Sequence, residues 1–191
     1  MELELACGYI LNRLKNDLPD YLHYHSVLHT HDVYAVAKQL AESEKLDAYE
    51  KQLLFTAACY HDSGFLECTI GHEAVSCRIA KEILPGYGYT ADEIDQVCGI
   101  IMATKVPQQP KNRVEEILSD ADLDYLGRGD FLPISNRLFF ELSALGTVTS
   151  FKQWNEMQVA FMESHHYFTS TAQQFRQAKK EENLKAIKAK L

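Results

Sequence analysis

With 191 residues, 46 % of them apolar and 24 % charged, the chain has the composition of a globular protein able to bury a core, and 9 Gly and 5 Pro are too few for a low-complexity chain. A formal charge of -8, with Lys and Arg scattered except near the C-terminus, lacks the basic stripe that a nucleic-acid polymer requires. The start MELELACGYI has neither the basic flank nor the long apolar run of a signal peptide, and no apolar run reaches membrane length, so a cytoplasmic protein without a membrane partner is expected.

Residues 2–15 read as a first helix that ends near the Asp17 to Asp20 break, where Pro19 interrupts the pattern. A polar loop with His23 and His25 follows. Over residues 30–43, Val33, Val36 and Leu40 form one helical stripe, and extending it back one turn reaches His29, which therefore points toward the core. Residues 47–62 form a helix whose second half, LLFTAACYHD, is apolar nearly all round, as in a buried helix; Gly64 is its expected C-cap. Residues 71–84 are amphipathic through Val75, Ile79 and Ile83, and PGYGY at 85–89 is a turn-rich connector.

Thr90 with Glu93 three residues on is a capping-box signature for a helix carrying Ile94, Val97, Ile100 and Ile101, ended by Pro107 and Pro110. A short helix from Val114 to Leu126 sets Asp122 on one stripe with Leu118 and Tyr125 or Leu126, an acid where an apolar residue is expected. Residues 130–145 and 150–188 read as later helices, the last grading into a Lys/Glu-rich solvated tail. The expectation is an all-α chain forming one domain over 1–191. Its five cysteines (Cys7, Cys59, Cys68, Cys77, Cys98) contain no CxxC pair and read as buried reduced thiols.

His29 on a core-facing stripe, His61 beside Asp62 at the end of a buried helix, and Asp122 on a third stripe are each costly if unpaired. A divalent cation shared between neutral imidazoles and the two carboxylates removes that cost for all four. Two His nitrogens and two carboxylate oxygens suit Mn, Fe, Co, Ni or Zn, and Mg less well because it prefers oxygen. Asp120 is the rival of Asp122; the stripe favours Asp122.

The order His, His-Asp, Asp, carried by YHSVLHTHDV, AACYHDSGF, GHEAVSCRIAKEIL and LSDADLDYLG, resembles the HD phosphohydrolase superfamily over roughly residues 23–128, with 129–191 as a helical extension. The resemblance implies an HD-domain helical bundle, one metal ion held by His29, His61, Asp62 and Asp122, and hydrolysis of a phosphate ester of a nucleotide or small phosphorylated metabolite by metal-activated water. His72 aligns with a second-metal ligand of dinuclear relatives, but Met102, Ala103, Thr104 and Lys105 offer no second histidine. A mononuclear site follows, with His72 or Glu73 as proton shuttle or supporting partner beside Asp62.

Lys105 and Arg128 are candidates for gripping phosphate, or else solvated surface bases, and His25 is placed at the pocket mouth. Glu67 is a solvated loop carboxylate or an acid-base group. Phe65 stands where many such proteins carry a basic residue, and Gly86-Tyr87 lacks the proline of the cyclic-dinucleotide phosphodiesterase signature. The alternatives are a nucleotide- or ligand-binding regulatory module with a non-catalytic metal, and a di-iron oxygenase of HD fold, which the missing histidine near Ala103 opposes. Self-association into a homo-oligomer is compatible with the sequence.

Overall fold

The computed structural model describes residues 1–191 as nine α-helices without a strand. In chain order these are α1 (Leu3–Asp17), α2 (Val27–Ser43), α3 (Ala48–Tyr60), α4 (His72–Ile83), α5 (Ala91–Met102), α6 (Arg113–Asp122), α7 (Phe131–Ala144), α8 (Phe151–Ser164) and α9 (Ser170–Lys188). Short 3-10 turns follow α3, α4 and α6, at Ser63–Leu66, Leu84–Tyr87 and Asp124–Gly127. No helix is long and apolar enough to cross a membrane.

The centre of the molecule is α3. Leu54, Ala57, Ala58, Cys59 and Tyr60 are all fully buried, because α1, α2, α5 and α6 pack around the near-continuous apolar run that the sequence places there. Truncating Leu54 to Ala at such a position costs roughly 2–5 kcal/mol, lost transfer energy plus a cavity. The same core takes in Ala6, Ile10 and Leu14 of α1, so the first helix is part of the bundle that holds the site.

Helix starts follow local chemistry. The Asp47 Oδ1 accepts from the Glu50 backbone N–H at 2.8 Å while Glu50 Oε2 accepts from the Asp47 N–H at 2.9 Å, and Thr90 with Glu93 forms the same reciprocal box ahead of α5. Asn112 caps α6, accepting from Glu115 N–H at 3.1 Å.

Three local expectations are corrected. The helix read through Leu126 stops at Asp122 and tightens into the Asp124–Gly127 turn. The stretch 150–188 is two helices, split at His165–Thr169, where Thr169 caps α9 by accepting from the Ala172 N–H at 3.2 Å. Gly64 is not a left-handed cap: a Cβ there would stand 2.0 Å from the carbonyl oxygen of His72, so only glycine lets the turn after α3 press against the start of α4.

Residues 129–191 dock onto the bundle through buried acids. Asp120 accepts from the Phe168 N–H at 2.8 Å, the Thr169 N–H at 2.8 Å and the Thr169 hydroxyl at 2.7 Å. Burial pushes the Asp120 carboxyl up to about 6 against these donors. Glu44 plays a similar part, accepting from the Thr171 hydroxyl at 2.5 Å and from Arg113 at 2.6 Å. Asp120 is thus an anchor for the extension, which leaves Asp122 to the site.

Candidate metal centre and cavity

Four side chains from three separate elements converge behind one face of the bundle. His29 comes from the first turn of α2, His61 and Asp62 from the turn that ends α3, and Asp122 from the last position of α6. His29 Nε2 lies 3.1 Å from Asp122 Oδ1 and 3.4 Å from Asp62 Oδ2. His61 Nε2 lies 3.2 Å from Asp62 Oδ2 and 3.6 Å from Asp122 Oδ1. Donor atoms each about 2.1 Å from one ion stand roughly 3.0–3.4 Å apart, so these spacings fit a single shared cation.

The unsatisfied atoms agree with that fit. His61 is completely buried, its Nδ1 faces the Ala58 carbonyl at 2.9 Å, and its Nε2 has no hydrogen-bond partner; Asp62 Oδ2 likewise has none. A histidine whose Nδ1–H is spent on a backbone carbonyl presents a bare Nε2 lone pair, as a metal ligand requires. Burial alone would neutralise both acids, yet the imidazoles of His61 and His29 outweigh it and hold Asp122 down to about 2 and Asp62 lower still. The same carboxylates raise the His61 imidazolium well above its ordinary value against desolvation. The cluster therefore calls for positive charge, which a divalent cation supplies better than shared protons.

Asp62 and Asp122 form the floor of a cavity of about 520 Å³. One wall is polar: Tyr24, His25, His72, Glu73, Thr104 and Lys105. The opposite wall comes from the extension and is mostly apolar: Leu138, Trp154, Met157, Phe161 and Met162, with Gln158 among them.

His72, the first residue of α4, sets its Nδ1 3.2 Å from the Thr69 carbonyl and its Nε2 3.5 Å from Asp62 Oδ1 and 3.7 Å from Glu73 Oε1. Phe65 packs against both His25 and His72, with ring centroids 4.1 and 4.0 Å away, and the two histidine rings lie 6.0 Å from each other with their planes 47° apart. Phe65 thus holds two histidine rings together on the cavity wall.

Of the remaining expected site residues, His25 and Lys105 line the cavity and Arg128 does not. Arg128 pairs with Asp32 at 2.9 Å and Asp130 at 2.9 Å, with Asp124 at 3.6 Å, beside a separate groove that also borders His29. Those carboxylates occupy the guanidinium and hold it away from the cavity. Glu67 pairs with Arg78 on the surface.

Several site residues escaped the sequence reading. Glu141, on α7, is 1 % exposed; its Oε2 accepts from the backbone N–H of Tyr24 at 2.9 Å and of His25 at 3.0 Å, and its Oε1 pairs with His25 Nδ1. Burial opposes the charge on both partners, but the pairing raises the His25 imidazolium and lowers the Glu141 carboxyl. Its signal was present: Ile134, Leu138 and Glu141 share one stripe, the pattern of an acid on an apolar face that singled out Asp122. The apolar extension wall carries no such signal, since any buried helix has one.

No family model matches the chain. An uncharacterized protein of Clostridium beijerinckii is 38 % identical over 74 residues, which is 37 % of this chain and 46 % of that protein, so the match spans under half of that relative's length. Among solved structures, Bacillus subtilis YpgQ in complex with ADP superimposes with a TM-score of 0.68 at 20 % identity, over 99 % of this chain and 95 % of the other. A predicted HD superfamily hydrolase from an uncultured Thermotogales bacterium gives 0.67 at 19 %, over 98 % and 90 %, and a Lactobacillus plantarum protein gives 0.65 at 19 %, over 100 % and 98 %. The chain has an HD-domain fold.

Proposed function

We propose that the chain is a metal-dependent phosphohydrolase that cleaves a phosphate ester of a nucleotide or small phosphorylated metabolite. The observation that carries this reading is the pair of buried, unpartnered atoms, His61 Nε2 and Asp62 Oδ2, in a four-residue cluster at the floor of a nucleotide-sized cavity. The ADP bound to the Bacillus subtilis protein of the same fold supports a phosphorylated ligand.

His29, His61, Asp62 and Asp122 would hold one divalent ion, as Mn, Fe, Co, Ni, Zn or Mg. Such an ion would bring the pKa of a bound water toward neutrality and offset charge on phosphoryl oxygens. Asp62 turns Oδ2 toward His29 and His61 while Oδ1 faces His72. His72, with Glu73 beside it, takes up the proton that the attacking water loses.

On the same wall Glu141 keeps His25 charged, so that His25 donates to a phosphoryl or leaving-group oxygen. Lys105, on the turn after α5 and lining the cavity, draws in the phosphate. The extension wall of Trp154, Phe161, Met157 and Met162 excludes water and packs against the part of the substrate that is not phosphate.

A second reading, a regulatory module that binds a nucleotide without turning it over, draws on the same ADP complex. One experiment separates the two: phosphate release from a panel of nucleotides and phosphorylated metabolites with Mn, Co, Ni, Mg and Zn in turn, for wild type and His61→Ala. Release that the variant loses establishes the hydrolase; tight nucleotide binding with the ligand intact under every metal replaces it with the binding module.

A further inference from the structure

Four of the five cysteines stand in two cross-helix pairs. Cys7 on α1 and Cys59 on α3 are sealed in the core. Cys77 on α4 is half-buried, and its neighbour Cys98 on α5 is buried in the same core as the first pair. Cys77 Sγ lies 3.4 Å from the Cys98 carbonyl oxygen and Cys98 Sγ lies 3.6 Å from the Cys77 carbonyl oxygen, a reciprocal contact between neighbouring helices. The Lys81 to Asp95 ion pair at 2.9 Å flanks it one turn further along the same two helices. Both sulfurs border an open surface groove of about 700 Å³, which reaches the cavity through Lys105 and Val106. Cys77 is half-buried and Cys98 is buried behind it, so an oxidant entering from the groove meets Cys77 first.

We infer that Cys77 and Cys98 are a redox-active pair that a hydroperoxide closes to a disulfide, tying α4 to α5. Each sulfur touches the backbone of the other cysteine across antiparallel helices, so closure asks for side-chain rotation and little backbone movement. The half-buried Cys77 is the first nucleophile, and the buried Cys98 is the thiol that resolves it.

The chemistry balances. The Cys77 sulfur attacks one peroxide oxygen, the O–O bond breaks, and the departing hydroxide takes the proton of that thiol and leaves as water, giving a sulfenic acid. The Cys98 sulfur then attacks the Cys77 sulfur, the S–O bond breaks, and the departing hydroxide takes the Cys98 proton as a second water. Two thiols lose two electrons and one peroxide becomes two waters. The link joins α4, which opens with His72 and Glu73, to α5, which runs into Thr104 and Lys105, so both polar flanks of the cavity are braced by it.

The test uses the wild-type full chain, a few equivalents of hydrogen peroxide, alkylation of remaining thiols and cleavage after glutamate, which places Cys77 in 74–82, Cys98 in 94–115 and Cys68 in 68–73. The expected product joins 74–82 to 94–115 with loss of two hydrogens, reverts with dithiothreitol, and persists in Cys68→Ser but not in Cys98→Ser. A melting temperature above that of the reduced protein accompanies it. Recovery of Cys77 and Cys98 both alkylated after Cys68 has been oxidised, or a link from either of them to Cys68, overturns the inference.

Discussion

Glu141 on α7 and His25 ahead of α2 are 116 residues apart in the chain and form a buried pair at the cavity wall. The carboxylate also accepts the backbone N–H groups of Tyr24 and His25, so one side chain of the extension fixes both the position and the charge of a histidine beside the candidate metal centre. Glu141→Gln keeps the shape but removes the charge. Turnover is expected to fall about tenfold or more with KM little changed and the melting curve still cooperative, read by steady-state kinetics alongside calorimetry. Unchanged kcat would remove His25 from the reaction.

Binding of a divalent ion to His29, His61, Asp62 and Asp122 stabilises only the folded chain. Saturation at about one hundred times Kd adds about 2.7 kcal/mol, equivalent to a rise of roughly 5–10 °C in Tm for a chain of this size. Differential scanning fluorimetry with Mn, Co, Ni or Zn checks it. A chelator should reverse the rise, and His61→Ala or Asp122→Asn should abolish it; a shift of equal size in His61→Ala would place the ion elsewhere.

Lys105 and Arg128 should separate by phenotype. Lys105→Ala is expected to raise KM for a phosphorylated substrate about tenfold while leaving stability within about 0.5 kcal/mol, as for other surface changes. Arg128→Ala should leave KM alone and cost about 1 kcal/mol or less, because it loses the pairs with the half-buried Asp32 and the exposed Asp130 while Asp124 keeps Arg176 at 2.6 Å. Paired kinetic and denaturant measurements on the two variants decide it.

Asp120→Asn should loosen the docking of residues 165–170 without touching metal binding. The lost charge-assisted bonds to Phe168 and Thr169 amount to about 1–3 kcal/mol, visible as a lower denaturant midpoint and faster proteolysis between α8 and α9. If Asp120→Asn instead abolished the metal-induced rise in Tm, the assignment of the two aspartates would be reversed.

His165 provides a pH test outside the site. Burial, then the nearby Lys180 and His166, hold its imidazolium down to about 3, so it is neutral in the folded chain. On unfolding it regains an ordinary value of about 6.5 and takes up a proton. The unfolded state then binds more protons, and stability falls as pH drops from about 6.5 toward about 3. His165→Gln should flatten the slope between pH 6.5 and 5 in denaturant titrations.

Periodicity alone made the helices legible, because an amphipathic or buried helix writes its burial pattern at fixed spacing along the chain. The same signal marked His29 and Asp122, polar residues on apolar stripes, and the His61-Asp62 doublet at the end of the most apolar helix; the capping box at Thr90 was legible for the same local reason. Where a helix stops was not. The break at His165–Thr169 exists because Asp120, more than forty residues earlier, captures those backbone N–H groups. Gly64 read as a cap because its neighbours in sequence allow one, whereas the carbonyl of His72 is what requires glycine there.

Arg128 and Lys105 carry equal charge, and only the surrounding carboxylates of Asp32, Asp124 and Asp130 decide that one is occupied and the other faces the cavity. Glu141 and the aromatic wall of the extension reached the site by long-range packing, and two cysteines 21 residues apart came into contact the same way. Local spacing specifies which faces must be buried. Which buried faces meet is settled by packing across the whole bundle, and the site's partners are chosen there.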